Sequence, residues 1–164
     1  MTTINHWIDN SQQLAELCEQ LQDATELAID TEFMRSDTFF AKLALIQLSD
    51  GEQCWLIDTP AIEQLQPLTA LLNGPQLTLV FHSCGEDLEV LDQVLSVRPK
   101  KLFDSQVAAG IVNIGYSMGY ARLVENMLQI ELGKEDTRSD WLARPLSDRL
   151  KRYAADDVLY LFRI

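Results

Sequence analysis

The sequence predicts an α/β domain, a mixed sheet flanked by helices, and three observations carry that prediction. Apolar runs of strand length alternate with segments whose apolar residues recur at helical spacing. Asp50-Gly51 separates two such runs, Leu43 to Ser49 and Gln53 to Asp58, and marks an antiparallel hairpin. The length of 164 residues, with 47% hydrophobic and 23% charged residues, suits one domain over 1–164 with a sizeable core. Five strands are expected.

In chain order, Asn10 or Ser11 caps a first helix whose Leu14, Leu17 and Leu21 recur at helical spacing. A strand follows from Leu27 to Phe33. After the hairpin, a helix around 61–72 ends at Asn73-Gly74-Pro75, where glycine and proline both act as stops. Leu77 to His82 is the next strand and runs into Ser83-Cys84-Gly85-Glu86, which has the spacing of a capping box with Ser83 as N-cap. The helix so started buries Leu88, Leu91 and Leu95. Leu102-Phe103 form a short fifth strand before Asp104 or Ser105, either of which caps the next helix. Helical patterns cover 105–112 and 119–128, residues 133–145 read as a loop, and Ser147 caps a last helix over Asp148 to Ile164.

Four carboxylates stand out against this pattern. Asp30 and Glu32 lie two apart in a strand, so they share one face while Leu27, Ile29 and Phe33 share the other. Two anions on one face need water, as on a solvated edge strand, or a cation. Asp87 lies in the first turn of its helix, where a carboxylate also gains from the helix dipole alone. On the last helix, Leu150, Ala154, Val158 and Leu161 project onto one face with Asp157 at its centre and Tyr153 one turn earlier, while Asp156 falls off it. Clustered hard oxygen ligands suit Mg²⁺ or Mn²⁺, and two such ions roughly 3.5–4 Å apart form the clamp used for phosphoryl displacement.

Composition narrows the alternatives. Three cysteines, Cys18, Cys54 and Cys84, with no CxxC or Cys/His spacing argue against a disulfide framework and a zinc site. No stretch approaches 18 apolar residues and the start lacks a basic region leading into an apolar one, so a cytoplasmic protein with no membrane association is expected. The net charge of −12 disfavours a polyanion partner, but 7 of the 13 Lys and Arg fall within residues 134–164. Any phosphate-contacting surface should involve that segment, with Arg138 and Arg144 as candidates and a solvated loop as the plain alternative.

Three ordered motifs, Asp30-Thr31-Glu32-Phe33, Phe81 to Leu88 and Tyr153-Ala154-Ala155-Asp156-Asp157-Val158, resemble those of the DEDD superfamily of 3′-to-5′ exonucleases in its tyrosine-bearing branch. The match is closest to the bacterial ribonuclease D family, which Thr137 to Ser147 also resembles. The resemblance implies a ribonuclease H-like fold and a two-metal mechanism. It implies that Asp30, Glu32 and Asp157 hold one ion, that Asp30 bridges to a second helped by Asp87, and that Tyr153 orients the attacking water. Thr31, Phe33, Met34 and His82 are implied contacts to the terminal nucleotide, although a histidine at a strand end is also often simply hydrogen-bonded. The expected substrate is RNA with a free 3′ end, trimmed during maturation of tRNA and other small stable RNAs. Rival readings are a DNA exonuclease of the same superfamily and a catalytically inactive nucleic-acid-binding module. Family members usually continue into helical RNA-binding domains, so the chain is expected to be a catalytic-domain fragment.

Overall fold

The computed structural model describes residues 4–35, 40–133 and 139–164. Six strands, β1 (Ile4–Ile8), β2 (Glu26–Met34), β3 (Lys42–Ser49), β4 (Gln53–Ile57), β5 (Thr78–Phe81) and β6 (Lys101–Asp104), form one sheet in the order β1-β4-β3-β2-β5-β6. Of these, β3 alone runs against the others: it pairs antiparallel with β2 and β4, whereas β1–β4, β2–β5 and β5–β6 are parallel. The carboxyl ends of β2, β5 and β6 therefore open on one edge, where ligands bind in open α/β sheets.

The sheet has six strands where five were expected. The additional strand, β1, is a short edge strand whose partner β4 lies some 50 residues on, so no hairpin signal announces it. The hairpin itself forms as predicted. Asp50 Oδ1 accepts the Glu52 and Gln53 N–H groups at 2.9 and 2.7 Å, and Gly51 takes φ 92° with the Phe162 ring closed over it.

Helices α1 (Ser11–Gln20), α2 (Gln66–Leu72) and α3 (Gly85–Leu95) pack their apolar residues against Leu27, Ile29, Ile46, Leu48 and Phe81 on one face of the sheet. Helix α6 (Asp148–Leu159) covers the other face with Leu150, Ala154 and Val158, against Ala28, Leu45, Leu56 and Val80. Helices α4 (Ser105–Ile111) and α5 (Tyr120–Leu128) follow β6. Asn10 caps α1, Asp104 caps α4 and Ser147 caps α6 through their side chains.

Three boundaries differ from expectation, each for a physical reason. Helix α2 starts at Gln66 because Pro67 is tolerated only in a first turn, and a 3₁₀ turn at Thr59–Ala61 occupies the start of the predicted span. Ser83 does not cap α3: it sits at φ 63°, and a distant carboxylate, Asp104, accepts the Ser83 and Cys84 N–H groups at 3.1 and 2.9 Å. Helix α6 ends at Leu159, before a 3₁₀ turn at Leu161–Arg163. The Tyr120 hydroxyl donates to the Asp156 carbonyl at 3.0 Å and accepts the Tyr160 N–H at 3.3 Å, so it occupies the place of the next helical hydrogen bond.

Candidate active site

Strand β2 carries the site because its alternation sends side chains to two different layers. Leu27, Ile29 and Phe33 pack toward the α3 side, while Ala28 packs under α6 and Asp30 and Glu32 share its face. Between Glu32 and Phe33 the β2–β3 register slips by one residue, placing Ala44 and Leu45 together on the α6 face. That irregularity lies beside the carboxylates, where bulges commonly re-aim side chains.

Asp30, Glu32 and Asp157 each bring a carboxylate oxygen within 4.8 Å of the other two. Helix α6 supplies Asp157 from its buried stripe, as its projection required. Asp87 stands beside this trio in a cleft of about 240 Å³, lined also by Thr31, Phe33, His82, Glu86, Tyr120 and Tyr153. Its carboxylate accepts the Thr31 hydroxyl at 2.5 Å, which ties the first turn of α3 to β2.

The electrostatics follow from that crowding. Burial raises the Asp30 carboxyl well above the usual carboxylate range, and the charges of Asp87, Asp157 and Glu32 raise it further against one opposing N–H from Thr31. Burial also raises Asp87, opposed by the Thr31 hydroxyl and backbone N–H groups. The Tyr153 phenol is raised by burial, by Asp157 and Glu32, and by the hydrogen bond it donates to Asp157. In the metal-free site it therefore stays protonated at neutral pH, which suits a hydroxyl that orients water.

The donor set fits hard divalent cations: carboxylates from β2 and α6 converge within 4.8 Å, with no sulfur and no imidazole among them, and a carboxylate from α3, Asp87, lines the same cleft. Among the described residues at the cleft, neither a histidine–serine pair nor a cysteine is set up as a nucleophile. His82 and Ser105 are 2.9 Å apart, but Ser105 is buried and the other imidazole nitrogen donates to the Met118 carbonyl at 3.0 Å. Burial lowers the His82 pKa, so the ring is neutral and both nitrogens are committed. The Cys84 thiol is pushed up to about 11 by burial and its hydrogen bond to Asp104, the opposite of an activated nucleophile.

Not every sequence candidate reaches the cleft. Met34 packs instead against the core beneath α6. Arg144 lies elsewhere, with all its donors committed: Nε and Nη2 grip Asp58 at 2.8 and 2.6 Å, Nη1 meets the Trp141 and Ala143 carbonyls, and Nη2 also meets Ala44. The expectation that it neutralises substrate phosphate gives way to a structural pin joining the 139–147 segment to the sheet. Arg138 lies outside the described residues.

Two contributors went unremarked in the sequence. Tyr120 meets the His82 ring edge-on at 5.4 Å and walls the cleft; nothing local distinguishes it from a core tyrosine. Gln47 pairs directly across from Asp30 and offers its Nε2 to Asp30 Oδ2 at 3.4 Å. Its signal was legible as the one amide within the apolar run Leu43 to Leu48.

Known proteins carry the same architecture. A protein-family model described as 3'-5' exonuclease matches residues 5–164. Ribonuclease D of Pseudomonas paraeruginosa is 44% identical over 158 residues, spanning 96% of this chain and 42% of that protein. Ribonuclease D of Escherichia coli is 43% identical over 157 residues, again 96% of this chain and 42% of its own length. The crystal structure of Escherichia coli RNase D, described as an exoribonuclease involved in structured RNA processing, superposes with a TM-score of 0.92 at 41% identity, covering 99% of this chain and 43% of that one. The chain thus spans about two fifths of these relatives, and its mixed sheet flanked by helices is the expected ribonuclease H-like fold with one strand more. Divalent metal use is implied by that family and fits the acidic cluster. From the match along nearly its whole length, the chain belongs to the 3′-5′ exonuclease family.

Proposed function

We propose that residues 1–164 form the catalytic domain of a metal-dependent 3′-to-5′ exoribonuclease of the ribonuclease D type, releasing 5′-nucleotides from RNA with a free 3′ end. Its work would be the 3′ maturation of tRNA and other small stable RNAs, in keeping with the structured RNA processing described for the Escherichia coli relative. The observation that carries this reading is the convergence of Asp30, Glu32 and Asp157 within 4.8 Å, beside Asp87 and under a protonated Tyr153.

Asp30, Glu32 and Asp157 would hold one Mg²⁺ or Mn²⁺ ion, and Asp30 with Asp87 a second. Such ions supply an activated water and neutralise charge developing on the departing 3′ oxygen. The remaining work belongs to the chain. Tyr153, anchored through its bond to Asp157, holds the attacking water in line with the terminal phosphorus. Thr31 fixes Asp87 by its hydroxyl, and Phe33 offers a ring to the terminal base at the cleft wall. His82, neutral and doubly bonded, presents a ring surface rather than a charge.

End-labelled RNA and DNA oligonucleotides of matched sequence, each incubated with Mg²⁺, Mn²⁺ or chelator, test the proposal. Shortening from the 3′ end alone, faster on RNA and abolished by chelator, is expected. Cleavage that persists in chelator or starts at the 5′ end would remove the mechanism, and a preference for DNA would favour a deoxyribonuclease on the same fold.

A further inference from the structure

Gln47 is an unusual residue to bury. Its side chain is 0% exposed within β3, between Ile46 and Leu48, which point into the opposite core. Its Oε1 has no hydrogen-bond partner among the described residues. A buried amide with an unmet acceptor destabilises the fold relative to an apolar side chain of the same shape. The partner its Nε2 does find is Asp30 Oδ2, directly across the β2–β3 ladder.

Asp30 is the member of the carboxylate group that needs such a partner. Its neighbours Glu32, Asp87 and Asp157 all repel it, so an unrestrained carboxylate would swing away from the point where the oxygens converge. A lysine or arginine in place of Gln47 would hold it too, but would cancel the charge that attracts a cation. A neutral amide fixes one oxygen and leaves the charge intact.

We propose that Gln47 is a positioning residue that acts through Asp30, its buried amide holding the carboxylate in the orientation that receives a divalent cation. This rests on the metal-site reading of Asp30, so the test separates the two. Gln47→Met and Gln47→Leu each remove the amide while keeping apolar bulk, and Mn²⁺ binding is measured by calorimetry without RNA, beside Asp30→Asn and wild type. The Gln47 variants should bind Mn²⁺ 10- to 100-fold more weakly, in the range for outer-shell partners. They should melt in chelator at or above the wild-type temperature, and show a lowered kcat, partly restored by excess Mn²⁺, at unchanged KM for RNA. Wild-type Mn²⁺ affinity in both Gln47 variants, with Asp30→Asn defective, overturns the positioning role alone. Melting temperatures that fall with metal affinity intact would make Gln47 merely structural. Equal Mn²⁺ binding by wild type and Asp30→Asn would remove the metal site and this role with it.

Discussion

Replacing Asp30 by asparagine should abolish activity and yet stabilise the metal-free protein. Asp30 has carboxylate oxygens of both Glu32 and Asp157 within 4.8 Å. At an effective dielectric of about 20, each such pair of unit charges repels by roughly 3 kcal/mol or more when both are ionised, and proton uptake relieves most of that. A net gain of about 1–3 kcal/mol corresponds to a melting temperature roughly 2–12 °C higher for a domain of this size. The sign of the pH dependence is fixed as well. The Asp30 pKa is raised in the folded state, so its contribution favours folding below the ordinary carboxylate range and is lost as pH rises through the raised value. In chelator, the advantage of Asp30→Asn should therefore widen from acidic to neutral pH. Mn²⁺ should raise the melting temperature of wild type by mass action and that of the variant much less. Differential scanning fluorimetry across pH, with and without metal, makes the comparison. Equal metal-induced shifts in the two proteins, or a variant less stable than wild type in chelator at neutral pH, would refute the reasoning.

Tyr153→Phe should lower kcat by roughly 10² or more while leaving Mn²⁺ affinity nearly unchanged, because it removes one positioned hydroxyl and no metal ligand; loss of metal binding by calorimetry would give the hydroxyl a structural role instead. Arg144→Ala strips the buried Asp58 of its partner and three carbonyls of their donors, so stability should fall by about 3–5 kcal/mol with the salt dependence of RNA binding unchanged. A stable variant with a flatter salt slope would restore the phosphate-contact role. Asp104→Ala removes the acceptor shared by the Ser83, Cys84, Gln106 and Val107 N–H groups, and chemical denaturation should show a loss of about 1–2 kcal/mol or more. Since N–H hydrogen bonds outweigh burial and hold the Asp104 pKa below its ordinary value, that contribution is present above the usual carboxylate pKa and is lost as pH falls through the depressed one.

Three of the four carboxylates were legible because each broke a local rule, whereas Asp87, placed where a helix start favours an anion, stood out through the motif resemblance alone. Asp30 and Glu32 interrupted a strand pattern, and Asp157 interrupted a helical stripe. What escaped were relations between segments remote in sequence. Asp104, read as a plain N-cap, also binds the N–H groups ahead of α3, so a capping box predicted from Ser83 and Glu86 did not form. The Tyr120 hydroxyl ends α6 from 36 residues away. Arg144 looked like a free cation in a less acidic segment, yet its acceptors, Asp58 and Ala44 among them, come from parts of the sheet that only the fold brings near. Strand β1 was invisible for the same reason, its pairing being long-range and parallel.

The most direct test of the two-metal site is anomalous diffraction from crystals grown with Mn²⁺. Two peaks roughly 3.5–4 Å apart are expected, one touching Asp30, Glu32 and Asp157 and the other Asp30 and Asp87. Mn²⁺ peaks only elsewhere on the molecule, or none at these carboxylates at saturating metal, would contradict it.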